Sequence, residues 1–245
     1  MSLQTNKFKK KGFIKIKKFF SKKLINKILE EVSNSENTDI YFDRNGNLRR
    51  IERLFDKGKN LKFVNKKILN FLNHFLKKKL VIFKDKFNAK PPGGEGFSPH
   101  YDGIFYFKNK NNQNKKGWYE YSDYFVNVLV ALDDCNKTNG TIELSQIEDF
   151  DFQTLYLNTK KNGTPDINTR HLKKLKFKSI NLSIGDILIF SNKVPHKSKK
   201  NFSKNNRRTL YYTYCNKISK NPYKKYFFDK MKSKNKTSKS LSGQI

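Results

Sequence analysis

Apolar residues recur with two different periods along this chain, and the change comes near Leu80. Before it, Leu24, Ile25, Ile28 and Leu29 repeat with the three-to-four spacing of one helix face, and Ser21 stands where an N-cap belongs. That pattern predicts a helix over residues 21–32. A second helix is predicted over 65–78, burying Ile68, Leu69, Phe71, Leu72 and Phe75, with His74 as a structural or surface residue. A short strand is expected at 12–16, and Asn45-Gly46 marks a turn. After Leu80 the apolar runs shorten: 80–83, 125–132, 141–144, 177–182, 186–190 and 208–214 read as strands. They are separated by Pro91-Pro92-Gly93-Gly94, Asn139-Gly140 and Gly185-Asp186, with polar loops at 108–116 and 149–175. Many short strands at near-regular spacing predict a closed or double-sheet β architecture behind N-terminal helices.

Composition adjusts this picture little. The chain is long enough for one domain with a sizeable core, expected over 13–231, flanked by a basic flexible arm (1–12) and a disordered basic tail (232–245). The net charge of +32 raises the prospect of nucleic acid, through a basic module that stacks bases on aromatic strands. Lysine is nevertheless spread along the whole chain, as on a solvated surface, so no specific nucleic-acid partner is expected. No apolar run approaches a membrane-spanning length. Cys135 and Cys215 alone make neither a disulfide framework nor a zinc site, which fits a reducing cytoplasm. Oligomeric state cannot be read from these residues.

Chemistry concentrates in rare residue types. Of four histidines, His100 forms a His-x-Asp pair with Asp102, and His196 follows Pro195. In an extended run an imidazole and a carboxylate two residues apart share a face. With a second imidazole they make the two-histidine, one-carboxylate set that holds Fe(II) and leaves positions open for a co-substrate and oxygen. His171 sits in a polar stretch and is expected to be solvent-exposed. Seven arginines stand out against the lysine background, five of them in two clusters, Arg49/Arg50/Arg53 and Arg207/Arg208. Such forks suit a carboxylate or phosphate. Arg50 and its neighbours can bind a substrate anion or pair with Glu52. Lys86, Asn88 and Lys90 share one strand face, which points either into the barrel or to solvent. Trp118, Tyr119 and Tyr121 either line the mouth of a site or serve as packing.

The run from Lys84 through Pro91-Pro92-Gly93-Gly94-Glu95-Gly96-Phe97-Ser98-Pro99-His100-Tyr101-Asp102 resembles the phytanoyl-CoA dioxygenase family of Fe(II)/2-oxoglutarate oxygenases. Ala131-Leu132-Asp133-Asp134, the segment to Glu143, Gly185–Phe190, Pro195–Ser198 and Arg207–Tyr211 are similar to later parts of that family, in the right order. Within it, the bacterial 2-aminoethylphosphonate dioxygenase branch is the most alike. The resemblance implies a double-stranded β-helix (jelly roll, cupin-like) using Fe(II), 2-oxoglutarate and O2. It implies His100, Asp102 and His196 as metal ligands, with Arg207 and Ser198 on the distal carboxylate of 2-oxoglutarate. By strand alternation Arg207 faces in and Arg208 out. Lys86 and Asn88 are candidates for the co-substrate, and Arg50, Tyr101 and Lys90 for a small anionic substrate. Tyr101 replaces the glutamine many members carry. The expected reaction hydroxylates a C–H bond of an organophosphonate, with an amino acid, natural product or acyl thioester as alternatives.

Overall fold

A computed structural model describes residues 3–36, 38–109, 111–217 and 221–234. The chain opens with α1 (Leu3–Lys11), β1 (Phe13–Ile16), α2 (Lys22–Ser33), β2 (Asp39–Phe42), β3 (Leu48–Glu52) and α3 (Lys59–Leu76). Next come β4 (Leu80–Asn88), β5 (Phe97–His100), the small hairpin β6 (Phe107–Lys108) and β7 (Asn114–Lys115), β8 (Phe125–Ala131) and β9 (Ile142–Leu144). The last part holds α4 (Phe152–Leu157), α5 (Thr169–Leu172), β10 (Lys178–Ser179), β11 (Ile187–Ser191), β12 (His196–Ser198), β13 (Thr209–Asn216) and α6 (Pro222–Lys234).

Two antiparallel sheets make the jelly roll. The large one runs β1-β11-β8-β13-β4-β3-β2, and the small one β10-β9-β12-β5. Strand alternation sorts the large sheet into two faces. Outward go Val126, Val128, Val130, Ile187, Ile189, Leu210, Tyr212 and Tyr214, which form the main core with Ile25, Ile28, Leu61, Val64, Ile68 and Leu72 of α2 and α3. Inward go Leu129, Ala131, Leu188 and Phe190, which meet Ile142 and Leu144 of the small sheet. The largely apolar composition of β8 and β11 follows from this burial on both faces.

The helix over 21–32 forms as expected, capped by Ser21 Oγ accepting from Leu24 N. The second helix starts six residues before the expected position, at Lys59, because its cap is not local. The Glu31 carboxylate of α2 accepts from the backbone N–H groups of Asn60 and Leu61. That anion also faces the positive end of the α3 dipole. The expected flexible arm is instead α1, whose Phe8 is buried against Phe75 at 5.8 Å between ring centroids. The expected tail lies mostly outside the described residues, and α6 continues to Lys234. Among the described residues no helix is long and apolar enough to cross a membrane.

Candidate active site

The small sheet brings the three candidate ligands together. His196 is the register partner of His100 across β12 and β5, and the two ring centroids are 4.1 Å apart. Asp102 lies past the end of β5, and not on the strand as the His-x-Asp spacing predicted. It is held there by two bonds with Asn192: Asp102 N donates to Asn192 O (3.1 Å), and Asn192 Nδ2 donates to Asp102 O (3.1 Å). One ligand atom from each of His100, Asp102 and His196 lies within 4.8 Å of the other two. A backbone carbonyl can only accept, so the contacts of His100 Nδ1 to Ser98 O (2.7 Å) and His196 Nδ1 to Val194 O (3.0 Å) fix both tautomers. Each Nε2 keeps its lone pair for a metal. Burial and the neighbouring His100 push the His196 imidazole down to about 4, so it is neutral at pH 7, as ligation requires. Burial alone would raise Asp102, but His196, Lys86 and His100 hold it below the usual carboxylate range. Two imidazoles that present Nε2 and one ionised carboxylate, converging on one point, fit a divalent iron.

Behind Asp102 stands a relay that the sequence reading missed. Thr213 Oγ1 donates to Asn127 Oδ1 (2.8 Å), and Asn127 Nδ2 donates to Asp102 Oδ2 (2.9 Å). The hydroxyl thereby fixes which end of the amide faces the carboxylate. The available signal was a lone asparagine inside the otherwise apolar β8.

Arg207 lies just before β13 and is buried at 3% exposure. Its backbone pairs with Lys90 in both directions (2.9 and 3.1 Å). Its guanidinium donates to Thr209 Oγ1 (3.2 Å) and Gly140 O (3.1 Å), while Nε has no partner. Arg208 points away and makes a two-pronged ion pair with Asp133, both contacts at 2.8 Å. Ser198 approaches the Arg207 end through Lys90, whose Nζ donates to Ser198 Oγ (2.9 Å).

Two of the candidate substrate residues are already committed. Lys90 also donates to Gly140 O and Lys199 O, so its three protons tie loops together and none is left for a ligand. Tyr101 alternates away from His100 and Asp102, packs with Ile104, Leu155 and Ile167, and donates to Glu148. His171, expected in solvent, bonds the same Glu148 at 2.7 Å and is largely covered. The 149–175 segment is thus docked on β5, with Asp166 bridged to His100. Trp118, Tyr119 and Tyr121 are packing residues around Phe83 and Phe125. Arg49 stacks over Phe97 at 4.2 Å, and Arg53 pairs with Asp39 at 3.0 Å.

The β3–β4 flank of the interior carries charge. In register across the sheet stand Asn127–Thr213–Lys84, then Leu129–Tyr211–Lys86–Glu52, then Ala131–Thr209–Asn88–Arg50. Glu52 is wholly buried; burial would raise it, but Arg50, Lys84 and Lys230 draw it down to about 2. Lys230 of α6 pairs with it, and Tyr41 Oη donates to it at 3.3 Å. Burial and the neighbouring Lys84 push Lys86 down to about 7. Of the two orientations open for the Lys86 and Asn88 stripe, the structure has the one facing the interior, and the Arg50–Glu52 pairing is present at 3.3 Å; Lys84 and Lys230 gave no signal in the sequence.

Comparisons with known proteins give the family. Residues 8–209 match the phytanoyl-CoA dioxygenase (PhyH) family. A 2-aminoethylphosphonate dioxygenase from uncultured bacterium HF130_AEPn_1 is 27% identical over 93% of this chain and 86% of its own length. A methylphosphonate hydroxylase from Gimesia maris is 30% identical over 62% of this chain, and the match spans 52% of that protein. The crystal structure of EctD from S. alaskensis with 2-oxoglutarate and 5-hydroxyectoine superposes with a TM-score of 0.68 at 15% identity, covering 88% of this chain and 76% of the other. The chain belongs to the phytanoyl-CoA dioxygenase family and is an Fe(II)- and 2-oxoglutarate-dependent dioxygenase with a jelly-roll fold.

Proposed function

We propose that this dioxygenase hydroxylates a C–H bond of a small organophosphonate resembling 2-aminoethylphosphonate. The observation that carries the reading is the pairing of the His100/Asp102/His196 convergence with a partly unpartnered, buried Arg207 at the other end of the same interior. Iron bound by His100, Asp102 and His196 would supply O2 activation, one oxygen atom going to succinate as 2-oxoglutarate loses CO2 and the other to the substrate C–H bond. The chain's own residues position the reactants. Arg207, with Ser198, takes the distal carboxylate of 2-oxoglutarate. The apolar wall of Leu129, Leu188 and Phe190 excludes water. The cationic flank and the phosphonate-specific relatives support an anionic substrate. Two free, buried cysteines support a reducing cytoplasmic setting.

A succinate-release screen over phosphonates, amino acids and acyl thioesters tests the reading. 2-Aminoethylphosphonate or a near analogue is expected to give the largest substrate-dependent rate. A preference for an amino acid or acyl thioester would replace the substrate and keep the reaction class. Salt-dependent binding of DNA or RNA without 2-oxoglutarate turnover would replace both.

A further inference from the structure

The cations on and beside the inner face differ in how they are satisfied; Lys84, Lys90 and Lys230 are buried, and Lys86 is partly covered. Lys84 donates to Tyr226 Oη (3.1 Å) and packs on the rings of Trp118 and Tyr226. Lys90 has three oxygen acceptors, and Lys230 has Glu52. Lys86 is the exception. Among the described residues it makes no hydrogen bond or ion pair, and its Nζ meets only the ring face of Tyr211, 4.8 Å from the centroid. Two neighbours share that unmet capacity. Asn88 Oδ1 has no hydrogen-bond partner, and neither has Arg50 Nε, although Glu52 Oε1 lies 3.3 Å from it.

Their placement is what joins them. Asn88 is the register partner of Arg50, and Glu52 that of Lys86, so Lys86 and Arg50 are diagonal neighbours on one face. Diagonal positions are roughly 7–8 Å apart at the backbone, within reach of two long side chains converging on one group. An isolated charge taken out of water is costly unless paired. Here Arg50, Lys84 and Lys230 surround Glu52 and Lys86 is its register partner, while the other nearby carboxylate, Asp102, belongs to the candidate metal triad. With Lys86 protonated, as a bound anion would hold it, the cluster has more positive charge than its own carboxylate can balance. Arg207 and Ser198 already serve one end of 2-oxoglutarate, and the metal serves the other.

We propose that Lys86 and Arg50, flanking Asn88, form a second oxyanion subsite, separate from Arg207, that holds the tetrahedral phosphonate group of the primary substrate. It rests on the dioxygenase reading above. Two cations suit a dianion with three oxygens better than a single-charged carboxylate. Glu52, pinned by Lys230 of α6, acts as a positioning residue that aims the Arg50 guanidinium.

Calorimetry on the full chain, anaerobic and saturated with Fe(II) and 2-oxoglutarate, tests this with 2-aminoethylphosphonate and its carboxylate counterpart 3-aminopropanoate as probes. Wild type is expected to bind the phosphonate and to bind the carboxylate at least tenfold more weakly. Lys86→Met is expected to weaken phosphonate binding by about tenfold or more, the scale of losing one charge-assisted hydrogen bond. It is expected to leave the Kd of 2-oxoglutarate within about twofold, read from the visible band of the anaerobic Fe(II) complex. Because Lys86 has no hydrogen bond or ion pair to lose, the variant's melting temperature is expected to equal or exceed that of wild type, which a structural lysine would not show. Arg50→Lys is expected to keep part of the phosphonate affinity. Should Arg50→Met fail to fold, the Arg50→Met/Glu52→Gln double variant removes both charges together and is expected to show the same loss. A weakened 2-oxoglutarate Kd in Lys86→Met would assign the residue to the co-substrate and overturn the subsite. Equal affinity for the two probes, or an unchanged phosphonate Kd in the variant, would overturn it as well. Failure of wild type to bind 2-oxoglutarate with Fe(II) would instead sink the dioxygenase reading beneath it.

Discussion

The two faces of the large sheet share a backbone and differ in almost everything else. The outer face is a close-packed hydrocarbon layer under α2 and α3, where Asp85 of β4 is the buried acid. The inner face is apolar only on the β8–β11 flank, and turns to Asn127, Thr213, Lys84, Lys86, Arg50 and Glu52 toward β3. Dispersion and the hydrophobic effect reward the outer arrangement directly. On the inner face each polar group costs desolvation and must be repaid by a partner or a ligand, so unmet capacity there marks function. The two faces thus separate residues held mainly by apolar packing from residues with bonding capacity to spare.

Breaking the site that the inner face supports through Asn127 should have the largest effect. Asp102→Ala is expected to abolish metal retention and substrate-dependent succinate formation with little change in melting temperature; full turnover would remove Asp102 from the ligand set. The outer face is probed by Ile189→Ala, a wholly buried position, expected to cost about 2–5 kcal/mol in denaturant unfolding while leaving 2-oxoglutarate affinity intact in the folded fraction.

Asp85 sharpens the contrast, since it is an acid on the apolar face. Burial pushes it up to about 6, even though the Tyr223 hydroxyl and the Leu54 N–H stabilise its charged form. An acid raised in the fold binds its proton more tightly there than in the unfolded chain. Stability from this group is therefore full below about 4 and falls as pH rises toward 6, by roughly 3 kcal/mol for a two-unit shift. Asp85→Asn is expected to flatten that part of the pH–stability curve; an unchanged slope would contradict it. Smallest is Asn127→Ala on the inner face, expected to weaken metal binding about 10- to 100-fold by releasing Asp102, with the fold retained. A metal Kd equal to wild type would reduce the relay to packing.

Much of the fold was legible because periodicity is local. Ser21 sits one residue from the α2 it caps, and Asn139-Gly140 and Gly185-Asp186 mark their turns by their own backbone preferences. The start of α3 was not legible, because Glu31, its capping group, comes from another helix. Nor was the fate of Tyr101 and His171, which meet on Glu148 only once the 149–175 segment docks. Lys90 shares the alternation of Lys86, but three oxygens from distant loops consume it.

By itself the sequence determined the reaction class, since rare residue types in a particular order, His100, Asp102, His196 and Arg207, are a chemical signature that needs no coordinates. What only the tertiary structure decided is which of the 53 lysines and arginines are buried and which of those lack a partner. A charge is the same letter in water or in a barrel. Its energetic meaning comes from desolvation and from neighbours far away in the chain, and those exist only after folding.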